Sequence, residues 1–390
     1  MKFSARRANP AGGPGANAAS GWPRRAAAVL ATAVAGALVV GHAALAQQPA
    51  PRVLKMQSSW PQNATAQEAF VIFADRVGKL TGGQLKVETA PAGQIVPAFE
   101  VLDATHKKVL DGAHSISYYW TGKSKTATLF SNTPAGVVGM DLFDYLGWLY
   151  NDGGLDMWWE FYQKELKLNL VVFPLHAPSP QALGWFRKPI ANLADFKGIK
   201  CRQTGITAEI YAKMGMAVVN MPGGEIAPAA ERGAIDCAEW VGGIEDFRLG
   251  LHLIWKNHYT PGLHESASVG EMMINKDVWD SLTPVQQEVI RSATLETIVR
   301  WGISWQKQNA EALEEMQTKH GVKVLPTPPE INIAFLKAWD EVAAAESASN
   351  PFFKKVYESQ KAYAAKVVPA KRFMFPPYTL AADHYFPPKQ

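Results

Sequence analysis

Residues 196–243 read FKGIKCRQTGITAEIYAKMGMAVVNMPGGEIAPAAERGAIDCAEWVGG. A short strand pattern between Gly198 and Gly205 ends on Arg202, and a second one at 234–238 ends on Glu239 and Trp240. Between them Ile206, Ile210, Tyr211 and Met214 recur at helical spacing, and Gly215 stops that helix. Gly223-Gly224-Glu225 after Pro222 reads as a helix start rather than a phosphate loop, because no P-loop and no GxGxxG after a strand occurs. Strand, helix and strand in so short a span argue for an α/β domain whose strand ends carry one cation and one anion.

Upstream, residues 53–59 read as a strand, 66–80 as a helix with Phe70, Phe73 and Val77 on one face, and 85–89 as a strand. A helix at 98–110 and a strand at 113–119 follow, then strands at 171–174 and 183–186 around the loop HAPSPQ, 176–181. The expected architecture is therefore two α/β domains with mixed sheets. The first takes 47–174 with 262–283 and the second 175–261. Thr283-Pro284, with Gln286 three residues after the threonine, is an N-cap, N1 proline and capping box. The helix it opens runs over 284–320, ~55 Å at the α-helical rise. That exceeds the width of one domain, so it is expected to cross both. Residues 329–390 form a helical extension whose aromatic stripes (Phe335 and Trp339, then Val356 and Tyr363) pack within the monomer or against a partner subunit.

The first 46 residues hold Lys2, Arg6, Arg7, Arg24 and Arg25 with no acid, an apolar run over 26–40, and Ala44-Leu45-Ala46 before Gln47. This is the pattern of an export signal, by the Sec or the twin-arginine route. Of 39 basic residues, removal of those five leaves 34 against 35 acidic ones. The basic balance thus belongs to the signal; a nucleic-acid or anionic-membrane partner loses its main argument, and no nucleic acid is expected. No other run approaches a membrane span. Cys201 and Cys237 are the two cysteines; export permits a disulfide, while small buried cysteines in strands commonly stay unpaired, which is the expectation adopted.

Arg202 offers a planar two-pronged donor that matches a carboxylate. Glu239, the Trp240 carbonyl, Glu265 in GLHES and Gln181 in SPQALGWF are oxygen donors of the kind a hard cation such as Ca²⁺ requires. The nine histidines make no HExxH or HxH arrangement, so a histidine-based metal site is not expected. No GxSxG elbow appears. Trp60, Tyr118, Tyr119 and Trp120 are read at strand ends, where they could wall a pocket or fill the core.

KGIKCRQTG, MPGGEIAPAAERGAIDCAEW and the upstream QALGWF resemble the substrate-binding proteins of tripartite ATP-independent periplasmic (TRAP) transporters. WDEVAAAESASNPFFKKVYESQKAYA is similar to the branch that binds 2-oxo and 2-hydroxy monocarboxylates with a metal. The resemblance implies a hinged, two-domain, type II-like periplasmic binding fold, a small organic acid as ligand, a membrane permease as partner and a homodimer through the C-terminal helices. It also implies that Arg202 pairs with the substrate carboxylate. Gln181 then lies near metal and ligand, and Glu239, Trp240 and Glu265 hold the cation. Tyr118 and Tyr119 become a pocket wall, and Ser179 falls on a ligand loop. Sodium-type sites of this branch carry a neutral amide where Glu265 stands. Two glutamates and a monocarboxylate against one arginine leave two excess negative charges, which a divalent ion neutralises, so Ca²⁺ is preferred over Na⁺. The alternative is an exported metal-dependent lyase or hydrolase acting on a similar acid through Lewis-acid chemistry. No positioned nucleophile or base supports it in the sequence.

Overall fold

The computed structural model describes residues 50–131, 138–178 and 180–387; the expected export signal at 1–46 and Ser179 lie outside them. Eleven strands make two mixed sheets among the described residues. The first holds β1 (Arg52–Ser58), β2 (Leu85–Ala90), β3 (Gly112–Ser115), β4 (Leu170–His176) and β10 (Gly270–Asn275), in the order β2-β1-β3-β10-β4. Here β1 is parallel to β2 and β3, and β10 runs antiparallel between β3 and β4. The second sheet holds β5 (Gly184–Phe186), β6 (Lys200–Arg202), β7 (Ala217–Val219), β8 (Cys237–Ala238), β9 (Asn257–Thr260) and β11 (Lys323–Pro326), in the order β11-β9-β5-β8-β6-β7.

Helix α1 (Thr65–Leu80) follows from its apolar spacing: Phe70, Phe73 and Val77 bury against Leu54 and Met56 of β1 and Leu85 of β2. Its start has no side-chain cap of its own. Glu245, far along the chain, supplies one by accepting from Ala66 N–H at 3.1 Å and from the Thr65 hydroxyl. Helix α2 (Pro284–His320) has the bounds its capping box implies, with Thr283 and Gln286 bonded reciprocally and Gly321 left-handed at its end. It packs on α1, on β4 and on the short helix Gly243–Arg248, and Trp301 donates to the Thr65 carbonyl at 2.8 Å. One helix thus braces elements of both sheets. The chain passes between the sheets three times: after β4, after β9, and through α2.

Several local readings change. The helix placed at 98–110 is a 3₁₀ turn, Ala98–Glu100, then α-helix only over Val101–His106, because Lys108 turns to φ 58°. The strand placed at 113–119 ends at Ser115, and Ser117–Trp120 is a 3₁₀ turn. Trp120 therefore leaves the pocket wall, since its indole N–H donates to Glu271 in the core at 2.8 Å. β7, β9, β10 and β11 have no counterpart in the sequence reading. In the C-terminal region Pro329–Ser349 and Pro351–Met374 are helices as expected, and a third, Tyr378–Tyr385, follows. Cys201 and Cys237 are paired, against the expectation of free thiols: parallel β6 and β8 set them opposite each other with Cα atoms 4.5 Å apart.

Candidate functional site

Arg202 closes β6 and Glu239 follows β8, neighbouring parallel strands, so both side chains leave the sheet at the same edge. The glycines around them are sterically required. A Cβ on Gly184 would meet the Ala238 carbonyl oxygen at 2.6 Å, and one on Gly223 would meet the Trp240 ring at 2.2 Å. Only glycine lets the neighbouring chain lie this close. The other contributors come from the crossings between sheets. Gln181 lies on the first, and its N–H donates to the Glu265 carbonyl on the second at 3.1 Å. Two segments that link the sheets are thereby tied together at the site.

The Arg202 guanidinium is 1 % exposed. Its Nη1 donates to the Glu239 carboxylate at 2.8 Å and to the Glu239 carbonyl at 2.6 Å, and Nε reaches the Met221 carbonyl at 3.3 Å. Nη2 has no hydrogen-bond acceptor among the described residues. The guanidinium stacks over Trp240, 5.4 Å from the ring centroid. Trp240 in turn meets Trp60, Trp60 meets Tyr119, and Tyr119 meets Tyr118, at centroid distances of 6.2, 5.8 and 5.2 Å. These rings form a continuous aromatic wall on one side of the charged groups.

Glu239 and Glu265 are both buried. Glu239 spends one oxygen on Arg202, while Oε1 meets no donor among the described residues, and neither does Gln181 Oε1. Glu265 accepts from the Ser268 hydroxyl at 3.0 Å. One ligand atom each from Glu239, His264 and Glu265 lie within 4.8 Å of one another. Burial pushes Glu239 up to about 8 despite the Arg202 guanidinium beside it, with Asp246 adding to the rise. Burial and then the Glu265 carboxylate hold the Tyr118 phenol well above its ordinary value, so it stays a protonated donor. Burial lowers His264 to about 4, leaving a neutral imidazole.

The residues named from the sequence, Arg202, Gln181, Glu239, Trp240, Glu265, Tyr118 and Tyr119, are thus gathered in one buried region, Ser179 lying outside the described residues. Two participants were missed. His264 belongs to no histidine motif, yet it stands beside both glutamates. Tyr211, read only as a helix-face residue, meets His264 Nδ1 at 3.2 Å. His264 is adjacent to Glu265 in the sequence, but no spacing signals its approach to Glu239 or to Tyr211, because those contacts are made by the fold.

The model of bacterial extracellular solute-binding proteins, family 7 (DctP), matches residues 56–350. The chain belongs to this family. As a family 7 solute-binding protein it is 32 % identical over 313 residues to the monocarboxylate 2-oxoacid-binding periplasmic protein of Nostoc sp. strain PCC 7120, covering 80 % of this chain and 84 % of that one. It shares its fold with a TRAP transporter solute-binding protein from Bordetella bronchiseptica RB50, crystallised as a mixed-occupancy dimer with copurified calcium and picolinate in one site. The TM-score is 0.81 at 29 % identity, covering 86 % of this chain and 99 % of that one. A TRAP periplasmic solute-binding protein from Pseudoalteromonas atlantica T6c with bound sodium and pyruvate gives a TM-score of 0.79 at 28 % identity, covering 85 % and 99 %. Membership places this chain among transport binding proteins, as its motifs implied. No described helix is long and apolar enough to cross a membrane.

Proposed function

We propose that this family 7 solute-binding protein captures a short 2-oxo or 2-hydroxy monocarboxylate together with a cation, calcium in preference to sodium. It does so in the periplasm and delivers the acid to a TRAP membrane permease. The observation that carries this reading is the buried juxtaposition of Arg202 with Glu239, Glu265 and Gln181. Removed from water, two carboxylates and an unmatched amide oxygen need a cation, and an unmatched guanidinium nitrogen needs an anion. The donor set fits the metal: Glu239, Glu265, Gln181 and the Trp240 carbonyl supply oxygens suited to Ca²⁺. Such an ion would supply charge neutralisation and a second anchor for the acid's carboxylate and 2-oxygen. Arg202 orients the carboxylate, Tyr118 and Tyr119 donate from the wall, and Trp60 and Trp240 exclude water from the short carbon chain.

Two domains, 47–174 with 262–283 and 175–261, would close on this ligand about the crossings that carry Gln181 and Glu265. The two sheets support this division, with β11 added to the second and β4 running two residues past 174. We extend the reading to an N-terminal export signal at 1–46 and to a homodimer through the C-terminal helices. Phe373, Phe375, Tyr378 and Leu380 are exposed there and give such a contact its apolar surface. A monomer in sedimentation would remove the dimer from this reading.

The decisive experiment is a thermal-shift screen of pyruvate, lactate and related acids with Ca²⁺, with Na⁺ and after chelation. At a hundredfold excess over Kd a specific ligand stabilises by about 2.7 kcal/mol, a rise of roughly 5 °C. Acid and Ca²⁺ together are expected to give it and acid after chelation much less. Silence with every short carboxylate would overturn the substrate class. Glu265→Gln is expected to weaken Ca²⁺ by roughly tenfold and narrow its advantage over Na⁺, since one of the excess negative charges is gone.

A further inference from the structure

We propose that His264 is a nitrogen ligand of the cation site, so that the site takes a first-row divalent ion such as Mn²⁺ or Zn²⁺ as well as Ca²⁺. This rests on the cation reading of the preceding section and adds to its oxygen donors a residue of different chemistry. The geometric ground is compactness. Ligands on one ion lie on a sphere about 2.1–2.4 Å in radius, so no two can be more than about 4.8 Å apart. The ligand atoms of Glu239, His264 and Glu265 meet that bound.

The imidazole is held as ligating histidines usually are, with one nitrogen engaged and the other presented. Nδ1 lies 3.2 Å from the Tyr211 hydroxyl. Nε2 has no hydrogen-bond partner among the described residues although the residue is 0 % exposed, and it lies 4.0 Å from Glu239 Oε1. That separation is too long for a hydrogen bond and suits two ligands of one ion. When Nδ1–H donates to Tyr211, Nε2 carries the lone pair on the side of the Glu239 carboxylate. The ring has little freedom to turn away. A Cβ on Gly262 would fall 2.6 Å from its Nδ1 and Cε1, and the Tyr211 and Phe335 rings flank it at 5.7 and 6.3 Å.

Calcium draws little from an imidazole, whereas Mn²⁺ and Zn²⁺ accept nitrogen and carboxylate ligands together. A pocket built for oxygen-bound calcium alone gains nothing from an unmatched Nε2 at its edge. The competing role for His264 is a hydrogen-bond donor to the bound acid, with no bond to the ion.

Pulsed electron paramagnetic resonance of Mn²⁺ bound to the chelator-stripped chain, alone and then with pyruvate, separates the two. Directly coordinated imidazole gives nitrogen hyperfine coupling, expected in the unaltered protein and absent in His264→Gln. Titration calorimetry of that variant is expected to show Mn²⁺ weakened by roughly tenfold or more, with Ca²⁺ changed less than about threefold. Bound Mn²⁺ without nitrogen coupling, or an unchanged Mn²⁺ to Ca²⁺ ratio in the variant, would overturn the proposal. Should the variant not fold, the spectrum of the unaltered protein decides alone. If Ca²⁺ and pyruvate bind while Mn²⁺ shows no nitrogen, this inference fails and the proposed function stands. If neither Ca²⁺ nor Mn²⁺ binds, the cation reading itself fails.

Discussion

Glu239 and Glu271 are both buried, and burial pushes both upward, to about 8 and about 7. Their surroundings differ in kind. Glu271, on β10, accepts from the Trp120 indole at 2.8 Å and from the Tyr162 hydroxyl at 2.7 and 2.9 Å, so neutral donors cover both of its oxygens. Glu239 has one oxygen on Arg202 and the other unmatched, with a second carboxylate and an imidazole beside it. Burial and a raised pKa therefore do not mark a binding site by themselves. The mark is an unfinished set of partners that a ligand of definite charge would complete.

The comparison breaks most visibly at Arg202. Arg202→Ala removes the donor for the ligand carboxylate and strips Glu239 of its partner, so acid affinity measured by calorimetry is expected to fall at least about a hundredfold. Arg202→Lys is expected to recover little, because a point charge cannot make the two-pronged contact. Undiminished affinity in either variant would move the carboxylate site elsewhere.

Glu271→Ala tests the other side. It leaves the Trp120 and Tyr162 donors unmatched and opens a cavity, a loss of about 2–4 kcal/mol in denaturant unfolding. Ligand affinity of the folded protein is expected to stay unchanged. A large loss of affinity would join Glu271 to the site.

The smallest effect is in pH. Glu271 titrates higher in the folded chain than in the unfolded one, so its contribution to stability is fully present below about pH 4.3 and is lost as pH rises toward 7. Glu271→Gln keeps the shape and removes the charge. Its stability relative to the parent is expected to improve by about 1–3 kcal/mol between pH 4.5 and 7.5, read from parallel urea titrations. A constant difference across that range would mean that Glu271 titrates normally.

Strand ends, helix caps and glycine stops made much of the molecule legible. The capping box at Thr283 fixed both ends of the long helix with Gly321, because a cap is local chemistry. Arg202 and Glu239 could be placed at strand ends for the same reason. Tyr118, Tyr119 and Trp120 could not be sorted into wall and core. A 3₁₀ turn replaces the expected strand there and sends neighbouring rings to different destinations. The sequence permitted the disulfide without deciding it, since pairing depends on the parallel register of β6 and β8.

What the sequence determined alone is the inventory: a carboxylate-matching arginine, oxygen donors without a zinc motif, two α/β patterns and a brace long enough to span them. Tertiary structure decided which charges meet. Gln181 sits on one crossing between sheets and His264 and Glu265 on another, and they become neighbours of Glu239 only because those two crossings bond to each other through Gln181 N–H and the Glu265 carbonyl. Spacing along the chain carries no information about such a meeting, because the ligand set is made by loops whose ends the sheets hold in place.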